Sequence, residues 1–111
     1  MKVFFKRFLI IVLIAFLAIQ FFRPVKNISA AVAVNDISAK YPIPEDVHAI
    51  LKASCYDCHS NNTKYPWYNT IQPVEWFLAD HVKEGKKELN FNEFAGYKVA
   101  KQYRKLEEII N

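Results

Sequence analysis

Residues 8 to 22 carry no charge: the run from Phe8 to Phe22 is broken only by Gln20, and Lys2, Lys6 and Arg7 stand just before it. A run with no polar face cannot be the outer helix of a small soluble domain; it has to be covered on all sides or placed in lipid. Fifteen helical residues reach about 22 Å, short of the roughly 30 Å hydrocarbon layer. Counting from Val3, with Lys6 and Arg7 snorkelling back to the headgroups, gives about 20 residues, enough to cross. Residues 1–22 are therefore expected to be a membrane-spanning helix, either a cleaved signal peptide or an anchor that stays. A signal peptidase needs small residues soon after the apolar run. Gln20-Phe21-Phe22-Arg23-Pro24 is bulky and charged, and the nearest small-x-small triplet, Ala31-Val32-Ala33, lies far downstream. The anchor is favoured, as a single pass of the inner membrane with the basic end cytoplasmic and the rest on the periplasmic side.

The charge pattern agrees with this division. Residues 1–33 hold five bases and no acid, whereas residues 34–111 hold ten bases and all eleven acids. The basic excess belongs to the N-terminal segment, so the remaining domain lacks the footprint of a nucleic-acid binder. Residues 23–41, small in side chain and bounded by Pro24, Pro42 and Pro44, read as a linker without chemistry of its own. Residues 42–111 form the domain. Only two glycines, and no sustained alternation of period two, argue against β structure. Three helices are expected: one opened by Pro44-Glu45-Asp46, with Val47, Ile50, Leu51 and Ser54 on one face; one from Pro73 to Gly85; and one from about Asn92 or Phe94 to Ile110. The second carries Val74, Phe77, Leu78 and His81 as a single stripe, with Gly85 as its stop. The third carries Val99, Tyr103, Leu106 and Ile110, with capping-box spacing from Asn90 to Glu93. The predicted class is all-α, a small cytochrome c-like helical domain behind the N-terminal helix.

The chemistry is concentrated in Cys55-Tyr56-Asp57-Cys58-His59. Two cysteines three apart at a helix end put both sulfurs on one side of the backbone, and the next residue can turn an imidazole toward the same space. That spacing suits covalent haem c: the thiols add to the porphyrin vinyl groups and His59 binds iron. Three other readings use the same residues. Zinc would take Cys55, Cys58 and two of His48, His59 and His81, without the usual second close pair. A thioredoxin-like pair would need a strand and a βαβ context. A plain disulfide is open to any exported domain. Export together with Cys-x-x-Cys-His favours haem. A domain of about 70 residues is also small for a core made of protein alone, and Tyr65, Trp67, Tyr68, Trp76 and Phe77 crowd the motif.

Cys55 to Asn62, followed by Tyr65-Pro66-Trp67-Tyr68 and Ile71-Gln72-Pro73-Val74-Glu75-Trp76, resembles a bacterial family of small membrane-anchored haem-binding domains with c-type attachment. Gly85-Lys86 and Leu89-Asn90-Phe91-Asn92-Glu93-Phe94 follow its pattern too. The likeness runs over residues 40–111 and more loosely over the anchor. It implies Cys55 and Cys58 as thioether residues and His59 as the proximal iron ligand. Members of the family usually continue with a Met-Pro segment and a further helix, whereas this chain stops at Asn111 and its only methionine is Met1. By that resemblance the natural distal ligand is expected to be missing and the domain is expected to be C-terminally incomplete.

His81, on the apolar stripe, is the internal candidate for the sixth iron position, whereas His48 lies off its helix's apolar face and is expected in solvent. With His81 the iron would be bis-His and of lower potential than His/Met. The expected function is electron transfer with a redox partner protein. Nothing resembles a nucleophile–base pair or paired carboxylates, so an electron carrier is favoured over an enzyme. The alternatives are an open-iron sensor or peroxidase-like site, and an interaction module held by zinc or a disulfide.

Overall fold

The computed structural model describes all 111 residues, and every regular element is helical. Six α-helices follow in order: α1 (Lys2–Ile19), α2 (Ile37–Lys40), α3 (Glu45–Ser54), α4 (Tyr56–His59), α5 (Val74–Glu88) and α6 (Val99–Ile110). Two 3₁₀ turns, Trp67–Thr70 and Phe91–Gly96, precede and follow α5. The all-α expectation holds.

The membrane-spanning part of that expectation does not. No helix is long and apolar enough to cross a membrane. Helix α1 has 18 residues, three of them Lys2, Lys6 and Arg7, so its uncharged part is only Phe8–Ile19. The helix stops there because the next residues turn to the domain instead of continuing. Gln72 N–H donates to Gln20 Oε1 (2.9 Å), and both Gln72 Nε2 (3.0 Å) and the Trp76 indole (2.8 Å) donate to the carbonyl of Phe22. Arg23 donates to the carbonyl of Thr70 (3.0 Å) and to Glu75 Oε2 (3.1 Å). Gln72 is wholly buried and the Glu75 side chain is 3% exposed. Residues 20–23 supply partners for the Gln72 N–H and amide nitrogen and for the Glu75 carboxylate, while Gln72 Oε1 stays buried without one.

Residues 23–41 are likewise laid on the domain rather than standing it off. Asn27 donates from Nδ2 to the Ser60 carbonyl and to Thr63 Oγ1 (both 2.9 Å) and from its backbone to Tyr65 Oη (2.7 Å). Its Oδ1 accepts from Lys86 (2.7 Å). Asp36 caps α2, and Ile37 enters the core with Leu89, Phe91 and Phe94.

Two sequence-derived stripes face differently from expectation. On α5 the buried side chains are Glu75 and Val82, while Phe77 (66% exposed) and His81 lie outside. On α6 the buried ones are Gln102 and Lys105, and Val99, Tyr103, Leu106 and Ile110 are exposed. Polar partners decide both orientations. Gln102 bonds Tyr41 and the Tyr97 carbonyl, and Lys105 reaches Glu88 and Glu108. Helix α6 starts later than expected because Asn90 caps the 3₁₀ turn, accepting from the Asn92 N–H instead of forming a box with Glu93.

Candidate functional site

Cys55 ends α3 and begins α4, with its N–H still donated to the Leu51 carbonyl. The chain bends at this residue, so the two thiols sit on one short turn: Cys55 half-buried against the core, Cys58 exposed, neither bridged. After the turn, asparagines fix the loop. Asn61 N–H donates to Asn92 Oδ1 and Asn90 Nδ2 to Asn61 Oδ1 (both 2.7 Å), which ties the end of α4 to the turn after α5. Asp57 Oδ1 accepts from the Lys64 N–H (3.0 Å) and closes the loop from the other side.

The His59 ring is held from α5 and the residue that follows it. Its Nδ1 lies 2.9 Å from the Gly85 carbonyl oxygen and 3.0 Å from that of Leu89. Carbonyl oxygens only accept, so Nδ1 carries the hydrogen, and in the neutral ring the free lone pair is on Nε2. The two ring nitrogens point nearly opposite ways, so Nε2 is directed away from the end of α5.

The approach of α5 depends on Gly85. A Cβ built there would stand 2.6 Å from the Cys58 carbonyl oxygen and 3.3 Å from Cys58 Cβ. Gly85 is thus not the stop that the sequence suggests: α5 runs through it to Glu88, and the missing side chain admits the backbone of α4. A groove of about 520 Å³ opens beside the contact, lined by Cys58, His59, Asp80, His81, Glu84 and Glu88 with Gly85. His81 shares this groove but is exposed, its Nδ1 bonded within the helix to the Phe77 carbonyl (3.0 Å). His48 is half-buried, edge-on to Tyr56 at 6.0 Å, rather than free in solvent. No three His, Cys, Asp or Glu side chains converge to hold a metal ion, so the zinc set of Cys55, Cys58 and two histidines is not assembled.

Behind the motif lies a network that the sequence did not announce. Tyr56 stacks on Phe91 (centroids 5.1 Å apart, 4° between planes) and turns its hydroxyl to Asp36 (3.3 and 3.4 Å). Asp36 also accepts from Ser38 and from Asn92 Nδ2 (2.7 Å). Burial alone would raise the Asp36 carboxyl, but bonds from Ser38, Asn92 and Tyr56 outweigh it and hold the group below the usual range. Burial, and then the charge of Asp36, push the Tyr56 hydroxyl up. Asp36 thus holds the second residue of the motif from a segment that reads as linker. The only advance signal was its capping position before Ile37-Ser38.

No curated protein and no solved structure matches the chain. The model of one family, described as the haem-binding domain, matches residues 14–111, which takes in the end of α1, the segment laid on the domain and every residue of the groove. The chain belongs to the haem-binding domain family.

Proposed function

We propose that this protein carries haem c on Cys55, Cys58 and His59, is attached to the inner membrane through α1, and passes single electrons to a partner protein on the periplasmic side. The observation that carries the reading is the His59 ring, fixed by two carbonyl oxygens in the tautomer that leaves Nε2 free, on the same turn as two unbridged thiols. The residues fit the group: one committed imidazole, two thiols, and a glycine where any side chain would push α5 off α4. Each thiol would add its S–H across a vinyl double bond. The carbon–sulfur bond would take the place of the S–H bond, with the hydrogen on the neighbouring carbon, so the thioethers would need no oxidant. Bound there, haem supplies a ferric/ferrous couple.

The chain's own groups set the conditions for that couple. By accepting the Nδ1 hydrogen, Gly85 and Leu89 orient the ring and make Nε2 a stronger donor, which favours the ferric state. Asp80, Glu84 and Glu88 along the groove act in the same direction. The exposure of Cys58 keeps the attachment edge at the surface, where a partner protein can approach. Residues 20–27 bear on attachment, since cleavage after Ala33 would leave Gln72 and Glu75 with only each other among these bonds and take from Lys86 its Asn27 partner. The apolar side chains of α1, none of them buried, then supply the surface that meets lipid.

One observation favours a second reading, an open-iron sensor or peroxidase-like site. His81 stands on α5, the helix that holds His59 from its Nδ1 side, and its own Nδ1 is engaged by the Phe77 carbonyl, so His81 would not be among the residues that hold the haem. On this reading His81→Ala leaves the spin state unchanged and the ferrous protein binds carbon monoxide.

The deciding experiment is intact mass measurement with haem staining on a denaturing gel, on protein from a strain with c-type maturation. Covalent haem on a chain beginning near Met1 is the expected result, lost in the Cys55→Ala/Cys58→Ala variant. A haem-free chain refutes the attachment, and a form starting at Val34 refutes the retained anchor.

A further inference from the structure

On the side of α5 away from Cys58, a second cavity of about 540 Å³ lies between that helix and residues 24–27. Lys26, Lys83 and Lys86 line it, Asp80 is its one carboxylate, and Tyr65 and Trp76 supply aromatic wall. Three ammonium groups against a single acid, beside apolar surface, suit an anionic ligand with an apolar part. Position narrows the class. Trp76, a lining residue, donates its indole N–H to the Phe22 carbonyl, and Phe21 and Phe22 at the end of α1 are strongly exposed. Lys26 follows Phe22 by four residues, at most about 14 Å of chain. The clamp of Gln20, Phe22 and Arg23 on Gln72, Glu75 and Trp76 fixes the cavity beside the end of the apolar helix.

We infer that this cavity seats the headgroup of an anionic phospholipid, with Lys26, Lys83 and Lys86 around the phosphate and Trp76 at the boundary of the acyl chains. The inference rests on attachment through α1 and adds the lipid class to it. Indole rings favour the headgroup level of a bilayer, and basic residues next to an apolar segment favour anionic lipid. Lys86 is already oriented by Asn27 Oδ1 (2.7 Å), and Lys26 lies over the Tyr65 ring at 5.6 Å. Both ammonium groups are therefore placed before a ligand arrives.

The test dilutes the full-length protein from detergent into phosphatidylcholine vesicles with and without phosphatidylglycerol, and measures bound protein by flotation. Binding to both, with a preference for the anionic vesicles, is expected. Lys83→Gln/Lys86→Gln should reduce that preference about 25-fold, at about fivefold per lysine. Lys83→Arg/Lys86→Arg should keep it, and Lys52→Gln/Lys64→Gln, which removes equal charge elsewhere, should leave it within about twofold. An equal loss in both Gln pairs would show a net-charge effect and overturn the site. Equal binding of the unsubstituted protein to both vesicles overturns the site but not attachment. No binding to either overturns attachment, and the site with it.

Discussion

Replacing Gly85 by alanine sets two effects of opposite sign against each other. In a helix interior Gly→Ala gains about 1 kcal/mol from backbone entropy and hydration. Here the new methyl would lie 2.6 Å from the Cys58 carbonyl oxygen, a backbone atom that cannot swing aside. Reaching ordinary contact moves α5 off α4 by about 0.8 Å, an overpacking cost of about 1–3 kcal/mol. The same shift stretches the 2.9 and 3.0 Å bonds at His59 Nδ1 past hydrogen-bond range, at roughly 1 kcal/mol more. The expected outcome is a net loss of about 2 kcal/mol in urea unfolding and a rise in the ferric/ferrous potential, because His59 becomes a weaker donor. Gly96→Ala is the control, since its methyl would meet only the Asn35 side chain, at 3.4 Å or more, and it should change stability by less than about 0.5 kcal/mol. If Gly85→Ala is more stable than the unsubstituted protein and keeps its potential, the close approach of α5 to α4 is refuted.

Two further outcomes follow from buried polar groups. The Asp36 carboxyl sits below its usual range in the folded protein, so its contribution is present above the unfolded pKa near 4 and is lost as pH falls through the lower folded value; Asp36→Asn should remove that acid limb from a plot of unfolding free energy against pH. Arg23→Ala leaves the Glu75 carboxylate buried with Gln72 as its remaining partner, and should cost about 1–2 kcal/mol after discounting for the half-exposed guanidinium. Adding Glu75→Gln should recover most of it in the same unfolding assay, and a loss unchanged by the second substitution would show that the ion pair is not the cause.

The helical class and the haem motif were legible because both are local. Pro44, Glu45 and Asp46 start a helix by their own chemistry, and five consecutive residues, Cys55 to His59, hold the thiols and the imidazole. The support of the motif was not legible, because it arrives from far along the chain. Gly85 reads as a helix stop until α4 is found against it. Asp36 and Asn27 read as tether until their partners Tyr56, Asn92, Ser60 and Lys86 are known, 20 to 59 residues away. The same blindness produced the spanning helix: hydropathy runs on to Phe22, but Gln72 and Trp76 take up Gln20 and Phe22 and end α1 at Ile19.

The misplaced stripes have a related cause. A period of 3.6 tells which side chains share a face and says nothing of what covers it. Only five hydrophobic side chains are buried in the whole chain: Ile37, Val82, Leu89, Phe91 and Phe94. Meanwhile Val47 and Ile50 on α3, Phe77 on α5, and Val99 and Tyr103 on α6 stand in the open on the faces where the pattern put them. A soluble domain of this size rarely leaves so much amphipathic pattern unused. The polar residues that took the inside of α5 and α6, Glu75, Gln102 and Lys105, each have a protein partner to pay for their burial. The apolar stripes were read correctly as faces and wrongly as core, because periodicity does not say whether a polar side with partners or an apolar side without them is turned inward.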